Sequence, residues 1–324
     1  MQTITLSTAF ASTGAKNLNV SQIVLGVAGF GGNDKIAANH AILDAFVAAG
    51  GSFVDTARVY GRWIDATQTS YSEEIFGKWL EQGENRASVR ISTKGAHPAV
   101  GTWKKRVTPE DIRSDVAESL QALRTDELDV YFLHRDDTDL PVSVIMDELN
   151  RHAAAGELNL LGASNWTAAR IYEANDYCVC HGMRGFDVSQ ICVNVLRLTP
   201  EQIGDRTLVS LTAEEEELYL QLKMPVMAFS SLAMGFPARY FADPEKEKSS
   251  RFATPENLRK LERIRTVCAD TGLSLTEVSV GYLCSQKVTI LPIVGTSRAE
   301  HIRECIAASD TRLSEEQIAY IDGK

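Results

Sequence analysis

The chain has 324 residues, of which 44% are apolar and 23% charged. That balance belongs to a globular protein and excludes a collagen-like fibre, a disordered tail and a membrane protein. Lys and Arg number 33 against 43 Asp and Glu, a net charge of -10, so nucleic acid and anionic lipid are excluded as partners.

The first twenty residues are rich in Ser and Thr, with Lys16 as their only charge. They lack the basic start and apolar core of a signal peptide and the Arg content of a transit peptide. Cys178, Cys180, Cys192, Cys268, Cys284 and Cys305 contain no C-x-x-C pair. They are expected to be plain buried or half-buried thiols in a reducing cytoplasm.

Beyond that lead-in, short apolar runs alternate with amphipathic stretches. The runs Ile23–Gly26, Ser52–Asp55, Val89–Lys94, Leu128–His134, Asn159–Ser164, Ser189–Val193, Pro225–Phe229 and Thr289–Val294 read as buried parallel strands. Ile112, Val116, Leu120 and Leu123 recur at helical spacing, as do Leu258, Leu261, Ile264 and Cys268. Gly50-Gly51 predicts a tight exit from the first helix, and Ser70-Tyr71-Ser72-Glu73 has the form of a capping box. Thr108-Pro109 and Thr254-Pro255 place a cap residue before a first-turn proline. Cys178 and Cys180 fall in one predicted helix, where their side chains diverge. Two stretches, Leu198–Thr212 and Gly235–Thr254, are long for loops and suit lids or clamps. The alternation fits a (β/α)8 barrel or a doubly wound sheet, and composition leaves both open.

In a barrel, chemistry gathers at the C-terminal strand ends. There stand Asp55, with Tyr60 five residues on, then Lys94, His134, Ser164-Asn165, and a sixth strand beginning Ser189-Gln190. Each alone has a structural reading, as a turn cap, a half-buried ring, an ion pair or a core histidine. Together they suit one reaction. An ammonium at Lys94, held ionised by Asp55, lowers the pKa of a Tyr60 hydroxyl from about 10. His134 donates to a carbonyl oxygen, and Tyr60 protonates the alkoxide that forms as hydride arrives.

Several segments carry a resemblance. Gly51-Ser-Phe-Val-Asp55-Thr-Ala-Arg-Val-Tyr60-Gly61 resembles the aldo-keto reductase signature. Ile91-Ser-Thr-Lys94-Gly95 resembles that family's lysine strand, and Leu128-Asp-Val-Tyr-Phe-Leu-His134 its histidine strand. Gly156 to Asn165 resembles its GKIRxxGxSN segment. The resemblance implies one (β/α)8 TIM barrel over residues 1–324, with an N-terminal lead-in over 1–22 and a C-terminal helix over 314–324. It implies a nicotinamide cofactor bound without a Rossmann domain, and a catalytic tetrad of Asp55, Tyr60, Lys94 and His134.

The resemblance also implies the cofactor contacts. Ser164, Asn165 and Gln190 match the set that holds the carboxamide, Phe229 the stacking ring, and Ser230, Ser231 and Leu232 the pyrophosphate stretch. The family usually has Pro where Ser231 stands, which predicts a less rigid loop. Gly295, Ser297, Arg298 and Glu304 match the adenosine motif and imply NADP(H), with NAD(H) as the alternative. Cys305 stands where Asn is common, which puts that contact in doubt. Gly29 and Phe30 fall at the barrel mouth, in a Gly-rich run that does not match G-x-G-x-x-G.

Trp63, Trp103 and Trp166 fall in predicted strand-to-helix loops and are expected to line a sugar or aryl pocket, or to anchor loops on the rim. Lys104-Lys105-Arg106 reads as a solvated patch or a site for a phosphorylated substrate. The expected partner is a small carbonyl compound, with no metal and an open oligomeric state. Two rival readings are a cofactor-sensing module of the channel beta-subunit type and a Schiff-base lyase using Lys94. The retained His134 favours an enzyme over the first.

Overall fold

The computed structural model describes residues 2–65 and 69–324. Ten strands are present among them: β1 (Thr3–Leu6), β2 (Leu18–Ser21), β3 (Val24–Gly26), β4 (Phe53–Asp55), β5 (Arg90–Gly95), β6 (Leu128–Leu133), β7 (Leu158–Ser164), β8 (Phe186–Cys192), β9 (Val226–Phe229) and β10 (Ile290–Val294). β3 to β10 pair in sequence order, all parallel, and β10 pairs with β3 to close the barrel. Closure decides for the (β/α)8 TIM barrel over the doubly wound sheet. All eight predicted strands form, with small shifts at their ends. The sixth starts earlier than expected, at Phe186, because the charged Asp187 interrupts the apolar run yet is buried.

Side chains alternate across a strand, so every second residue faces the barrel interior. One buried cluster holds Val24, Phe53, Val130, Phe132, Leu160, Val188, Met227, Leu291 and Ile293. These are the inward residues. Two steps further along each strand, the same inward row reads Asp55, His134, Gln190 and Phe229, and four steps beyond Leu160 it reads Ser164. Lys94 lies two residues beyond Ser92 on β5. Register places Asp55 opposite Ser92 and Ser164 opposite Gln190. The interior is therefore apolar below and polar at the mouth. Gly162 is required in that row, since a Cβ there would lie 2.4 Å from the Phe132 ring.

The N-terminal lead-in, described from Gln2 onward, carries no apolar run of the kind that marks the barrel strands. It forms the antiparallel hairpin β1–β2. Leu6, Ala15, Leu18 and Val20 join the interior cluster and plug the barrel opposite the polar mouth. A second, larger set of buried apolar residues packs between the strands and the surrounding helices.

Thr108 and Thr254 cap their helices as expected, accepting from Asp111 N and Asn257 N. Gly50 takes a φ of +91° at the first helix exit. The Ser70 capping box does not form. Ser70 adopts φ 60° and makes no side-chain cap bond, because Glu73 turns inward and accepts from Thr93 Oγ1 at 2.5 Å. The two long connections are partly helical, with short helices over Pro200–Ile203, Phe236–Ala242 and Pro244–Glu247. Within the second, the charged stretch Asp243–Lys248 holds a capped turn, with Asp243 accepting from Lys246 N at 3.1 Å. Cys178 is buried and Cys180 exposed on one helix. No helix among the described residues is long and apolar enough to cross a membrane.

Candidate active site

The polar layer at the mouth opens into a cleft of about 690 Å³. Asp55, Tyr60, His134, Ser164, Asn165, Gln190 and Phe229 line it. So do Ser230, Ser231, Leu232, Gly295 and Ser297, with Gly29 and Phe30.

Asp55 is the hub. Its Oδ2 accepts from Lys94 Nζ at 2.6 Å, and its Oδ1 accepts from Ser92 Oγ at 2.8 Å and Gln190 Nε2 at 2.9 Å. Lys94 Nζ also donates to the Thr56 carbonyl at 2.6 Å and lies 4.8 Å from the centroid of the Tyr60 ring. Burial alone would lower the Lys94 pKa; Asp55, then Tyr60, more than offset it and hold the ammonium above 10.5. That leaves no free amine for Schiff-base chemistry. Lys94 itself lies behind Tyr60 and lines a side cavity rather than the cleft.

Tyr60 follows β4 on a turn in which its N donates to the Ala57 carbonyl at 2.9 Å. The expected depression of its pKa does not win. Burial pushes the phenol above 10, Lys94 opposes this, and the Asp55 carboxylate behind Lys94 cancels part of that opposition. The His134 ring meets Tyr60 edge-on at 5.8 Å. Burial, then His97, Arg135 and Lys94, hold His134 well below 6.5, so the ring is neutral at physiological pH.

The amide set is brought together and tied down. Asn165 donates to Ser164 Oγ at 3.0 Å and accepts from Val209 N at 3.2 Å. Ser231 Oγ donates to the Ile293 carbonyl at 2.6 Å, so the hydroxyl ties this loop to β10 where a proline ring would have stiffened it. Arg298 and Glu304 are exposed beside the cleft, on and within the helix Ala299–Ala308, and do not line it. Cys305 is 1% exposed and packs in the core.

Trp63 is 61% exposed and 5.7 Å from the Tyr60 ring, and Trp103 is 58% exposed and 6.1 Å from His97. Both stand on the rim. Trp166 does not. It is fully buried against Phe186, because its loop turns inward onto the barrel wall. Lys105 and Arg106 are paired, with Asp137 and Asp139 and with Asp111 and Asp115, and so do not form a free basic patch.

Sequence reasoning missed Arg135, His97 and Asn39. Arg135 is buried on the cleft wall, donating to Thr207 Oγ1 and Asp205 Oδ2, both at 2.9 Å, and to the His134 carbonyl at 2.7 Å. Its signal was there to read, as a charged residue directly following a strand-end histidine. Among the described residues, no group of three or more His, Cys, Asp or Glu could hold a metal ion.

The closed parallel barrel thus sets a buried Lys–Asp pair behind a tyrosine and a neutral histidine at the edge of one cleft. The sequence matches the aldo/keto reductase family over residues 22–324, and the chain belongs to that family. It is an NAD(P)H-dependent enzyme of carbonyl reduction. It is 29% identical over 300 residues to aldo-keto reductase ausK of Emericella nidulans, covering 87% of this chain and 70% of that protein. It is 27% identical to the aryl-alcohol dehydrogenase [NADP(+)] of Phanerodontia chrysosporium, over 94% of this chain and 82% of that one. It is 25% identical to norsolorinic acid reductase B of Dothistroma septosporum, over 94% and 78%.

Proposed function

We propose that the chain reduces aryl and alkyl aldehydes or ketones with NADPH, and that Tyr60 is the general acid. The carrying observation is the order of charges behind Tyr60. Asp55 keeps Lys94 an ammonium, and Lys94 faces the phenol. A phenol raised by burial keeps its proton at neutral pH, as a proton donor must. As negative charge develops on the carbonyl oxygen, Lys94 stabilises the phenolate that remains, and neutral His134 donates to the same oxygen.

The residues present fit a dinucleotide. The cleft's volume lies within the ~300–1,000 Å³ of ligand sites, and its lining carries both amide and hydroxyl groups. Ser164, Asn165, Gln190 and Phe229 would hold the nicotinamide end, and Ser230 to Leu232 with Gly295 and Ser297 the phosphates. When bound, the cofactor supplies the hydride. Arg298, exposed beside Ser297, supports NADPH over NADH through its 2′-phosphate. Glu304 faces solvent nearly two turns on and supports an adenine contact, whereas buried Cys305 offers none.

The aryl preference rests on Trp63 and Trp103 beside Tyr60 and His97, and on the name of one relative, the aryl-alcohol dehydrogenase of Phanerodontia chrysosporium. NADPH oxidation across benzaldehydes, alkyl aldehydes, methylglyoxal, sugars and ketoacids tests it. Highest kcat/KM on the aryl aldehydes is expected. A preference for sugars or ketoacids overturns the aryl assignment, and no turnover on any class overturns the reductase.

A further inference from the structure

Two histidines meet at the barrel mouth, and the chemistry above uses one. The rings of His97 and His134 lie 4.8 Å apart at 76°. His134 follows β6 and lines the cleft. His97 follows β5 and lines a separate cavity of about 270 Å³ with Arg58, Arg62 and Arg106. The backbone that presents His97 is unusual. Ala96 is buried with φ +58°, a left-handed conformation that costs energy in a residue with a Cβ. The Asp115 carboxylate holds it, accepting from Ala96 N at 2.7 Å. Gly95 packs so tightly that a Cβ would lie 2.0 Å from the Tyr131 hydroxyl.

Hydrogen bonding then places the protons. His97 Nδ1 lies 2.7 Å from the Pro98 carbonyl oxygen, which only accepts, so Nδ1 carries the proton and Nε2 of the neutral ring is bare. His134 Nδ1 is buried with no hydrogen-bond partner among the described residues. An N–H orphaned in the interior is rarer and costlier than an unfilled acceptor. The neutral His134 ring therefore keeps its proton on Nε2.

We propose that His97 is a positioning residue for the carbonyl chemistry: its ring packs on His134 without bringing its bare Nε2 into hydrogen-bond reach of Nδ1, and so keeps the His134 proton on Nε2, where it can be shared with a carbonyl oxygen. The use of that proton rests on the reductase reading; the tautomer does not. The surroundings agree. Tyr60, Lys94 and Arg135 face His134, and Asn165 donates to its backbone carbonyl at 3.4 Å; none gives Nδ1 an acceptor. Burial, with Arg135 and Arg106, holds His97 below 6.5 against the Pro98 carbonyl and Asp205. His134 lies lower still, so a proton arriving in mild acid goes to His97 first, and its charge keeps the next one off His134.

Long-range ¹⁵N–¹H NMR of histidine-labelled protein reads the tautomer of each of the six histidines without catalysis. The wild type should show His134 protonated on Nε2 and still uncharged at a pH where an ordinary histidine already carries its charge. His97→Phe keeps a ring and adds no acceptor, so the tautomer should hold, while His134 titrates at higher pH once the neighbouring charge is gone. His97→Asp, or His97→Asn if that variant fails to fold, sets an acceptor beside Nδ1. It should move the proton to Nδ1 and lower kcat by about 10- to 100-fold with little change in KM. An Nδ1-protonated wild type, an unmoved tautomer in both acceptor variants, or equal loss of kcat in the Phe and acceptor variants overturns the proposal. If the tautomer switches as stated while wild-type protein reduces no carbonyl, the reductase reading fails and the positioning of His134 stands.

Discussion

Lys94 and Asp55 are both buried, and neither charge is tolerable there without the other. Removing one partner of such a pair costs about 3–5 kcal/mol, because the survivor is left uncompensated. Asp55→Asn should therefore lower stability by about that much in urea denaturation. Adding Lys94→Met should restore most of it while turnover stays lost, which separates the stabilising role of the pair from its chemical one. Arg298 is a residue-scale test of another kind. It is exposed and serves as the cap residue of its helix without a side-chain cap bond. Arg298→Ala should weaken NADPH binding by roughly tenfold, one charge-assisted contact, and NADH binding far less. Fluorescence titration reads both, and equal losses contradict the phosphate assignment.

At the scale of elements, Ser70-Tyr71-Ser72-Glu73 shows where local pattern and packing part. The same spacing forms true capping boxes at Ser274–Glu277 and Ser314–Gln317. Glu73 instead faces the barrel wall with one oxygen unpartnered, and burial raises its pKa to about 6. An unfolded glutamate titrates near 4.3. Between those values the folded state binds the extra proton, so stability falls as pH rises through that window and stays lowered above it. The loss is about 2 kcal/mol for this single group. Glu73→Gln should thus be about 2 kcal/mol more stable than wild type at pH 8 and unchanged at pH 4. A variant equally stable at pH 8, by thermal or urea unfolding, would show that the carboxylate finds a partner there.

Across the whole molecule, the barrel was legible because its strands are short, apolar and evenly spaced, and because polar residues end them. A period of two then carries Asp55, His134, Ser164 and Gln190 to one interior. What escaped reading has physical causes. The β1–β2 hairpin is rich in Ser and Thr, and its apolar residues matter only against the barrel floor. Trp166 and Trp63 look alike in sequence, and only tertiary packing sends one into the core and leaves the other on the rim. Arg135 joins the site through Asp205 and Thr207, some seventy residues away, a contact no local pattern encodes. The charge of -10 also hides local detail, since nearly every cation at the mouth has a paired carboxylate.

Single-turnover and steady-state NADPH oxidation by Tyr60→Phe, with benzaldehyde as substrate, tests the central claim most directly. Loss of the phenolic proton should cut kcat by about 10²–10⁴ while NADPH affinity and the fold are unchanged. Turnover within a few-fold of wild type would contradict Tyr60 as the general acid.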